Sequence, residues 1–405
     1  MKKQLVKLSK NVAGSVKLPA SKSISNRVLL IRALSYSFLP IHNLSEAEDT
    51  LLLDKALNSN TNRFYTGDGG TTFRFITAFL SKIVGEWYID CSERMKERPV
   101  KVLVDALNEL GAQITYTEKE GYPPLHILGS NLNKSKLSID GSISSQYITA
   151  LLLIAPSLVN GLELKIKGNI ASRPYMEMTL KLMEEFGVKT SFVDNKISIA
   201  PQDYQFKPFT VEADWSGASY FYELLSLSEK GELFLVGLTR NSLQGDAQQV
   251  ELWKQLGIQT SYEETGVRLT KVPRTIEKLH FDFSDMPDLV QTFAVVCCFK
   301  NIPFQFTGVE TLKIKETNRI KALIQELKKF GYLLTEQKEG TLSWYGKRKG
   351  IDEKMVSIKT YGDHRMAMAF APVAIIHSIE IKNPEVVKKS FPDFWQELRK
   401  FDCNQ

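Results

Sequence analysis

A chain of 405 residues is long for one hydrophobic core and favours two or more domains. Its 43% apolar and 24% charged residues are ordinary for a globular protein; a net charge of +6 argues against a nucleic-acid-binding tail and suits an enzyme of acidic or phosphorylated substrates, because a positive cleft concentrates anions. The four cysteines Cys91, Cys297, Cys298 and Cys403 include no CxxC pair and no zinc spacing, which speaks against a disulfide framework and for a reducing compartment.

The N-terminal MKKQLVKLSKNVAGSVKL lacks a continuous apolar run and alternates like a strand, so it predicts a strand and not a signal peptide. No apolar run reaches the length of a membrane span; the best, Ile148 to Val159, is too short and contains Pro156. A cytoplasmic location is the expectation, with neither membrane nor nucleic acid as partner. Leu18-Pro19-Ala20 is a candidate boundary before a helix start at Ala20-Ser21-Lys22-Ser23-Ile24-Ser25-Asn26-Arg27, which leads into Val28 to Leu34. Ser, Lys and Arg at a helix N-terminus suit an anion through the dipole and the free N–H groups; a capped helix with solvated charges is an equal reading. The segment is no Walker A loop.

Gly67-Asp68-Gly69-Gly70-Thr71-Thr72-Phe73-Arg74 lets a ligand approach the backbone ahead of a helix from Arg74 to Leu80, or is a tight strand-helix turn. Arg94 to Pro99 places three cations before a helix whose first turn can hold Pro99, or is a solvated charge run; Arg forks there would match a carboxylate or phosphate. Gly141 to Tyr147 opens the apolar helix Ile148 to Ala155, and capping accounts for one of its serines but not for the cluster. Ser172-Arg173-Pro174-Tyr175 begins another helix, and Glu212-Ala213-Asp214 is the second candidate boundary. Asp288 stands before the apolar run Leu289 to Phe299, where its position reads first as a helix cap and otherwise as a buried acid/base group. Lys315-Glu316-Thr317-Asn318-Arg319 starts a helix with one carboxylate between cations. Asp363-His364-Arg365 and Lys389-Ser390-Phe391-Pro392-Asp393 follow; His364 reads as structural, and no set of metal ligands assembles.

One pattern recurs four times: LNELGAQITY, LMEEFGVKTS, LWKQLGIQTS and ELKKFGYLLT. Each is an amphipathic helical stretch ending at a glycine and followed by alternation. The glycines, Gly111, Gly187, Gly257 and Gly331, are 76, 70 and 74 residues apart. Glycine takes the left-handed conformation that closes a helix, and the period then changes from helix to strand. Glu48 to Asn58 and Pro392 to Phe401 extend the series, giving six units of about 65 residues as two groups of three. If both boundaries hold, residues 1–20 and 214–405 form one domain and 21–213 the other, with a two-strand hinge and a cleft that closes on substrate.

At least six helix starts carry Ser, Lys, Arg, Asp or Glu. Cations there oppose the helix dipole unless an anion sits between them, which argues for a composite anion site.

The motifs SKSISNR, GDGGTTFR, RMKERP, SSQY, SRPY, DMPD, KETNR, DHRMAMA and KSFPDFW, in this order, resemble those of the 5-enolpyruvylshikimate-3-phosphate synthases, in the enolpyruvyl transferase family, over nearly the whole chain. The resemblance implies an α/β fold: an inside-out α/β barrel of two domains with three βαβαββ units each and the active site in the cleft. It implies transfer of the enolpyruvyl group of phosphoenolpyruvate to the 5-hydroxyl of shikimate 3-phosphate with release of phosphate, by addition and elimination through a tetrahedral intermediate. No metal or organic cofactor is implied, and a monomer is expected. Lys22, Asp288 and Glu316 would be catalytic: Asp288 takes the proton of the 5-hydroxyl, Glu316 transfers protons at the methylene, and Lys22 touches both substrates. Shikimate 3-phosphate would be held by Lys22, Ser23, Arg27, Ser144, Ser145, Gln146, Ser172, Asp288 and Lys315. Phosphoenolpyruvate would be held by Lys22, Gly70, Arg98, Gln146, Arg319, Arg365 and Lys389.

Two positions depart from the family pattern: Asp68 stands where many relatives have Asn, and Thr311 lies near another position often occupied by Asn. Gly70 is kept, so glyphosate is expected to compete with phosphoenolpyruvate. One alternative is the sister transferase acting on a UDP-linked amino sugar, which uses a loop cysteine; here Cys91 precedes RMKERP. Another is a non-catalytic phosphate-binding protein of the same fold, which would be expected to lack Asp288, Glu316 or Lys22.

Overall fold

A computed structural model describes residues 2–5, 8–142, 144–350 and 355–402, so Cys403 and Ile143 lie outside the described residues. The chain forms two compact units, Ala20–Val211 and Met1–Pro19 with Glu212–Gln405. It is an α/β protein throughout. No helix among the described residues is long and apolar enough to cross a membrane.

The unit Ala20–Val211 carries helices α1 (Lys22–Leu34), α2 (Glu48–Leu57), α3 (Gly70–Ser81), α4 (Glu93–Lys96), α5 (Lys101–Leu110), α6 (Ser145–Ile154) and α7 (Arg173–Glu185). The second unit carries α8 (Trp215–Leu227), α9 (Gln249–Gln255), α10 (Val290–Phe299), α11 (Arg319–Lys329), α12 (His364–Phe370) and α13 (Phe394–Arg399). Each unit holds three of the described sheets. In four of the six sheets the chain runs strand, helix, strand, helix, strand, strand. Arg63–Tyr65, for example, pairs parallel with Gly85–Asp90, which pairs antiparallel with Leu125–Gly129, and Gln113–Tyr116 lies at the far edge. The same order recurs in the sheets built on Lys136–Asp140, Asn11–Lys17 and Leu279–Asp282.

The repeat glycines sit at one place in that pattern. Gly111, Gly187, Gly257 and Gly331 follow the second helix of each four-stranded sheet, all with φ between 83° and 116°. A side chain would strain this left-handed turn, so glycine marks it. Among the described residues the other two sheets, of two and three strands, show no such turn: α2 is capped by Asn58 with φ −100°.

Several helix starts differ from the sequence expectation. α3 begins at Gly70, four residues before Arg74, because a glycine at the cap or first position loses little where the N–H groups are unpaired anyway. The cations of Arg94 to Pro99 do precede a helix, α5, but Arg94 and Lys96 also lie in the one-turn α4, capped by the Ser92 hydroxyl and tied by Lys96–Glu93 and Arg94–Glu97 pairs, with Arg98 just beyond it. Pro99 falls between α4 and α5, outside the first turn of either. α6 begins at Ser145 with Ser144 as its cap, three residues before Ile148.

All thirteen residues of α8 are buried, among them the polar Ser216, Ser219, Glu223 and Ser226. Its C-terminal carbonyls are met by two ammonium groups: Lys300 Nζ donates to Ser226 O at 3.0 Å, and Lys271 Nζ donates to Leu225 O at 3.1 Å and to Ser228 O. Cations there complement the helix dipole. Burial first, then Lys271 and Arg274, push the Lys300 ammonium down to about 8. One turn earlier on α8, Glu223 is fully buried and neither carboxyl oxygen has a hydrogen-bond partner among the described residues. Burial raises its carboxyl well above the usual range. A raised folded value gives stability that is intact below the unfolded value of about 4.3 and is lost as pH rises through the folded one. Glu223→Leu is therefore expected to raise unfolding stability at neutral pH by about 1–3 kcal/mol and to remove this slope. Denaturant midpoints near pH 5 and pH 8 check it; equal wild-type and variant pH slopes would show that Glu223 is already solvated.

Candidate active site

In the unit Ala20–Val211 the sequence-derived residues gather at the starts of α1, α3, α6 and α7. The Ser21 side chain accepts from Ile24 N, which starts α1 and makes Lys22 its first residue. Lys22 Nζ donates to Asp49 Oδ2 at 2.9 Å, so a partly buried cation at an N-terminus is matched by a carboxylate from α2. The Asp49 carbonyl accepts from Thr72 Oγ1 at 2.7 Å, and a Cβ on Gly69 would lie 2.9 Å from Asp49 Oδ1. These contacts join the Lys22 pair to the start of α3.

Gly70 faces guanidinium groups. A Cβ there would lie 2.4 Å from Arg74 Nη1 and 2.7 Å from Arg98 Nη1. Arg98 is buried, and its Nη1 donates to the Asp68 carbonyl at 3.3 Å. Arg74 Nη1 donates to Gln146 Oε1 at 2.8 Å and Nη2 to Pro99 O at 3.1 Å, with the guanidinium 5.0 Å from the Tyr147 ring centroid. Gly70, Arg98 and Gln146 are thus one set, and Arg74, to which the sequence reading gave no role, is the side chain that joins them. The Asp68 carboxylate accepts from the Ser92 hydroxyl, while its carbonyl turns to Arg98.

Arg27 is buried and has no carboxylate partner among the described residues. Its Nε donates to Thr179 Oγ1 at 2.8 Å, Nη1 to Ser23 O at 2.7 Å, and Nη2 to Tyr175 O at 3.0 Å and Thr149 Oγ1 at 3.3 Å. Burial pushes it down to about 10, so this cation favours an anion beside it. Through it α1 is tied to α6 and α7. At α6, Ser144 Oγ accepts from Gln146 N at 3.3 Å, leaving the buried Ser145 as a second hydroxyl of that turn. At α7, Ser172 is buried in the left-handed conformation with φ 56° and makes no side-chain cap bond. A non-glycine residue held there is unusual and clusters at functional sites.

In the second unit one guanidinium organises the site. Arg319 is 1% exposed and is the first residue of α11, capped by Asn318. Its Nε donates to Asp363 Oδ2 at 2.8 Å, Nη1 to Asp288 Oδ1 at 3.0 Å, and Nη2 to Glu316 Oε2 at 2.8 Å. Arg365 Nη2 donates to the other Asp288 oxygen at 2.8 Å, and its Nη1 lies 3.4 Å from the Tyr220 hydroxyl. Burial alone would raise the Asp288 carboxyl; Arg365, Lys315 and Arg319, in falling order, outweigh it and hold the group well below the usual carboxylate range, against Glu316. Lys389 Nζ donates to Gly362 O at 3.1 Å, one residue from Asp363.

The capping reading of Asp288 is wrong. It lies in a short 3-10 turn, Pro287–Leu289, the cap position of α10 falls on Leu289, and the Asp288 oxygens are taken by two arginines. The cap is replaced by ion pairs because both guanidiniums come from helix starts 31 and 77 residues away. Asp363 is the N-cap of α12, accepting from Arg365 N at 2.9 Å, and also pairs with Arg319. Asp49 and Asp363 were missed as partners; Asp363 adjoins the cation-bearing start His364-Arg365, while Asp49, in the acidic first turn of α2, carries no such signal.

His364 is buried with Nδ1 3.9 Å from Asp363 Oδ1. Thr311 Oγ1 is a buried atom without a hydrogen-bond partner among the described residues. Cys91 is buried, and burial first, then Asp90, push its thiol up to about 12, which disfavours a thiolate role. No group of three or more metal-ligating side chains occurs among the described residues.

Two carboxylates held by forked arginines beside further lysines are an arrangement that can bind small anions and move protons without a side-chain nucleophile. The EPSP synthase (3-phosphoshikimate 1-carboxyvinyltransferase) family model matches residues 52–398, and the chain belongs to that family. A 3-phosphoshikimate 1-carboxyvinyltransferase of Bacteroides fragilis is 48% identical over 399 residues, covering 98% of this chain and 97% of that one. The protein of that name from Photobacterium damsela subsp. piscicida is 35% identical over 417 residues, covering 96% of each. An EPSP synthase structure from Acinetobacter baumannii superimposes with a TM-score of 0.79 at 20% identity, over 99% of this chain and 98% of the other, which bears on fold alone.

Proposed function

We propose that this protein transfers the enolpyruvyl group of phosphoenolpyruvate to the 5-hydroxyl of shikimate 3-phosphate and releases phosphate, a step toward the aromatic amino acids. The hydroxyl adds to C2 while C3 gains a proton; loss of a C3 proton and of phosphate from the tetrahedral adduct gives the enol ether. The observation that carries this reading is Asp288, 17% exposed and held between Arg319 and Arg365, with Glu316 on the same Arg319 guanidinium. The arrangement supports one carboxylate for the hydroxyl proton, Asp288, and one for the methylene, Glu316, with the arginines beside both.

While both arginines hold it, Asp288 is a weak base. A substrate carboxylate or phosphate that attracts Arg365 and Arg319 weakens that hold and raises its basicity. Anion binding and base activation are then one event. Lys315 and Lys389 belong to the same set. In the other unit Lys22, Gly70, Arg98 and Gln146 are assigned to phosphoenolpyruvate, and Lys22, Ser23, Arg27, Ser144, Ser145, Gln146 and Ser172 to shikimate 3-phosphate. We further infer two domains, 1–20 with 214–405 and 21–213, in an inside-out barrel of six units; the shared strand order of four sheets supports it, with the short sheets as the remaining two. The working form is read as a cytoplasmic monomer.

Gly70→Ala is expected to raise KM for phosphoenolpyruvate about tenfold or more, roughly 1.4 kcal/mol, because its methyl displaces the Arg98 and Arg74 guanidiniums, both ends of flexible side chains. A folded variant with unchanged KM would place the substrate elsewhere. The function itself is tested by phosphate release with each substrate alone and with both. Release only with both supports the transferase. No release from folded protein moves the activity to a UDP-linked amino sugar or to binding alone.

A further inference from the structure

Asp246 is a buried acid that neither the motifs nor the proposed chemistry use. It lies in a short turn, Gly245–Gln248, fastened to the first turn of α8: Gln244 Oε1 accepts from Trp215 N at 3.0 Å, and Gln249 Nε2 donates to Trp215 O at 2.6 Å and to Asp246 O at 2.9 Å. The Asp246 side chain is 2% exposed. Its Oδ2 accepts from the Ser216 hydroxyl, and Oδ1 has no hydrogen-bond partner among the described residues. One hydroxyl does not satisfy a buried carboxylate. One turn along α8 from Ser216, the Tyr220 hydroxyl lies 3.4 Å from Arg365 Nη1, so Asp246 and the guanidinium that pairs with Asp288 are anchored on successive turns of the same helix. Asp214 is itself engaged as the N-cap of α8, and Arg365 is shared with Asp288.

We infer that Asp246 is a positioning residue for the reaction, and that it must keep its proton for Arg365 to hold anionic substrate. This rests on the functional reading above. Protonated, the acid leaves Arg365 to Asp288 and to the incoming anion. Ionised, it adds a second carboxylate to the field of Arg365 and repels the substrate. The group is poised for this change: burial first and then Asp288 push its carboxyl up to about 7, against the Ser216 hydrogen bond and Arg365, with Asp214 adding to the rise. A raised value means that the proton is held below about 7 and lost above it. By linkage, an anion bound at Arg365 raises the value further, so binding takes up a fraction of a proton.

The test is KM for phosphoenolpyruvate between about pH 6 and about pH 8.5 in the wild type, Asp246→Asn and Ser216→Ala. The second phosphate ionisation of the substrate, near pH 6, is common to all three and cancels in the comparison. Wild-type KM is expected to rise about tenfold more than that of Asp246→Asn, the effect of about one pKa unit of coupling. Ser216→Ala removes a hydrogen bond to the charged form and is expected to move the rise to higher pH. Superimposable profiles for wild type and Asp246→Asn, or a kcat loss equal at every pH, overturn the inference. If the Asn variant does not fold, the Ser216→Ala shift decides. Calorimetric binding of inorganic phosphate over the same range reads the effect without turnover: affinity falls with pH in the wild type more than in Asp246→Asn. Absent phosphate release from the wild type would thus count against the function, while this binding comparison still judges Asp246.

Discussion

Arg319→Ala is expected to lower unfolding stability by about 3–5 kcal/mol and to abolish measurable turnover. The guanidinium is 1% exposed and donates to Asp288, Glu316 and Asp363, so its removal leaves three carboxylates with one cation fewer between them. Breaking a buried ionic set from one side costs more than the set contributes, because the remaining charges stay desolvated. Arg319→Lys is expected to recover only part of the loss, since an ammonium cannot present the fork that meets carboxylates from three directions. The pH dependence separates this from a packing defect. Asp288 is held below its ordinary range, so its share of stability is present above the unfolded value of about 3.9 and is lost as pH falls through the folded one. Without Arg319 the folded value moves up and the acid-side loss becomes shallower. Urea unfolding at several pH values reads both effects, and an alanine variant as stable as the wild type would remove Arg319 from the centre of the site.

What the sequence made legible follows from distance along the chain. The four repeat glycines were readable because a helix, its left-handed end and the next strand lie within about ten residues, where periodicity acts directly. The helix starts within Ala20–Arg27, Gly141–Tyr147 and Lys315–Arg319 were readable for the same reason, although the capping residues themselves, Ser21, Ser144 and Asn318, are identified by the fold. The motifs located the chemistry but not its partners. Lys22 meets Asp49 across 27 residues, and Arg319 meets Asp363 across 44. No local pattern encodes those pairings, so both aspartates went unassigned. Asp288 shows the converse error: its position before an apolar helix looks like a cap, and only arginines from two distant helix starts turn it into an ion-paired acid. The one-turn α4 was hidden because its charged residues pair within the turn, which composition alone reads as a solvated run. Asp246 carries no motif signal of its own; its burial and its lone Ser216 contact exist only in the fold.

Asp288→Asn is expected to move two observables in opposite directions. Loss of the group that takes the hydroxyl proton lowers kcat by about 10²–10⁴-fold. The same change removes a charge that competes with the substrate for Arg365 and Arg319, so anion affinity rises: KM for phosphoenolpyruvate falls, and inorganic phosphate binds about tenfold tighter, roughly 1.4 kcal/mol. The size fits a carboxylate that is 17% exposed and therefore only partly desolvated with its arginines. A purely structural aspartate gives another signature: removal would loosen both guanidiniums, weaken anion binding and lower stability together. The asparagine amide keeps the volume and can still accept one guanidinium bond, so folding is retained well enough to measure. Tighter phosphate with slow turnover identifies Asp288 as the base that the arginines restrain until substrate engages them. Undiminished kcat in a folded variant would pass that role to another group, and Glu316, on the same Arg319 guanidinium, would be the first to replace.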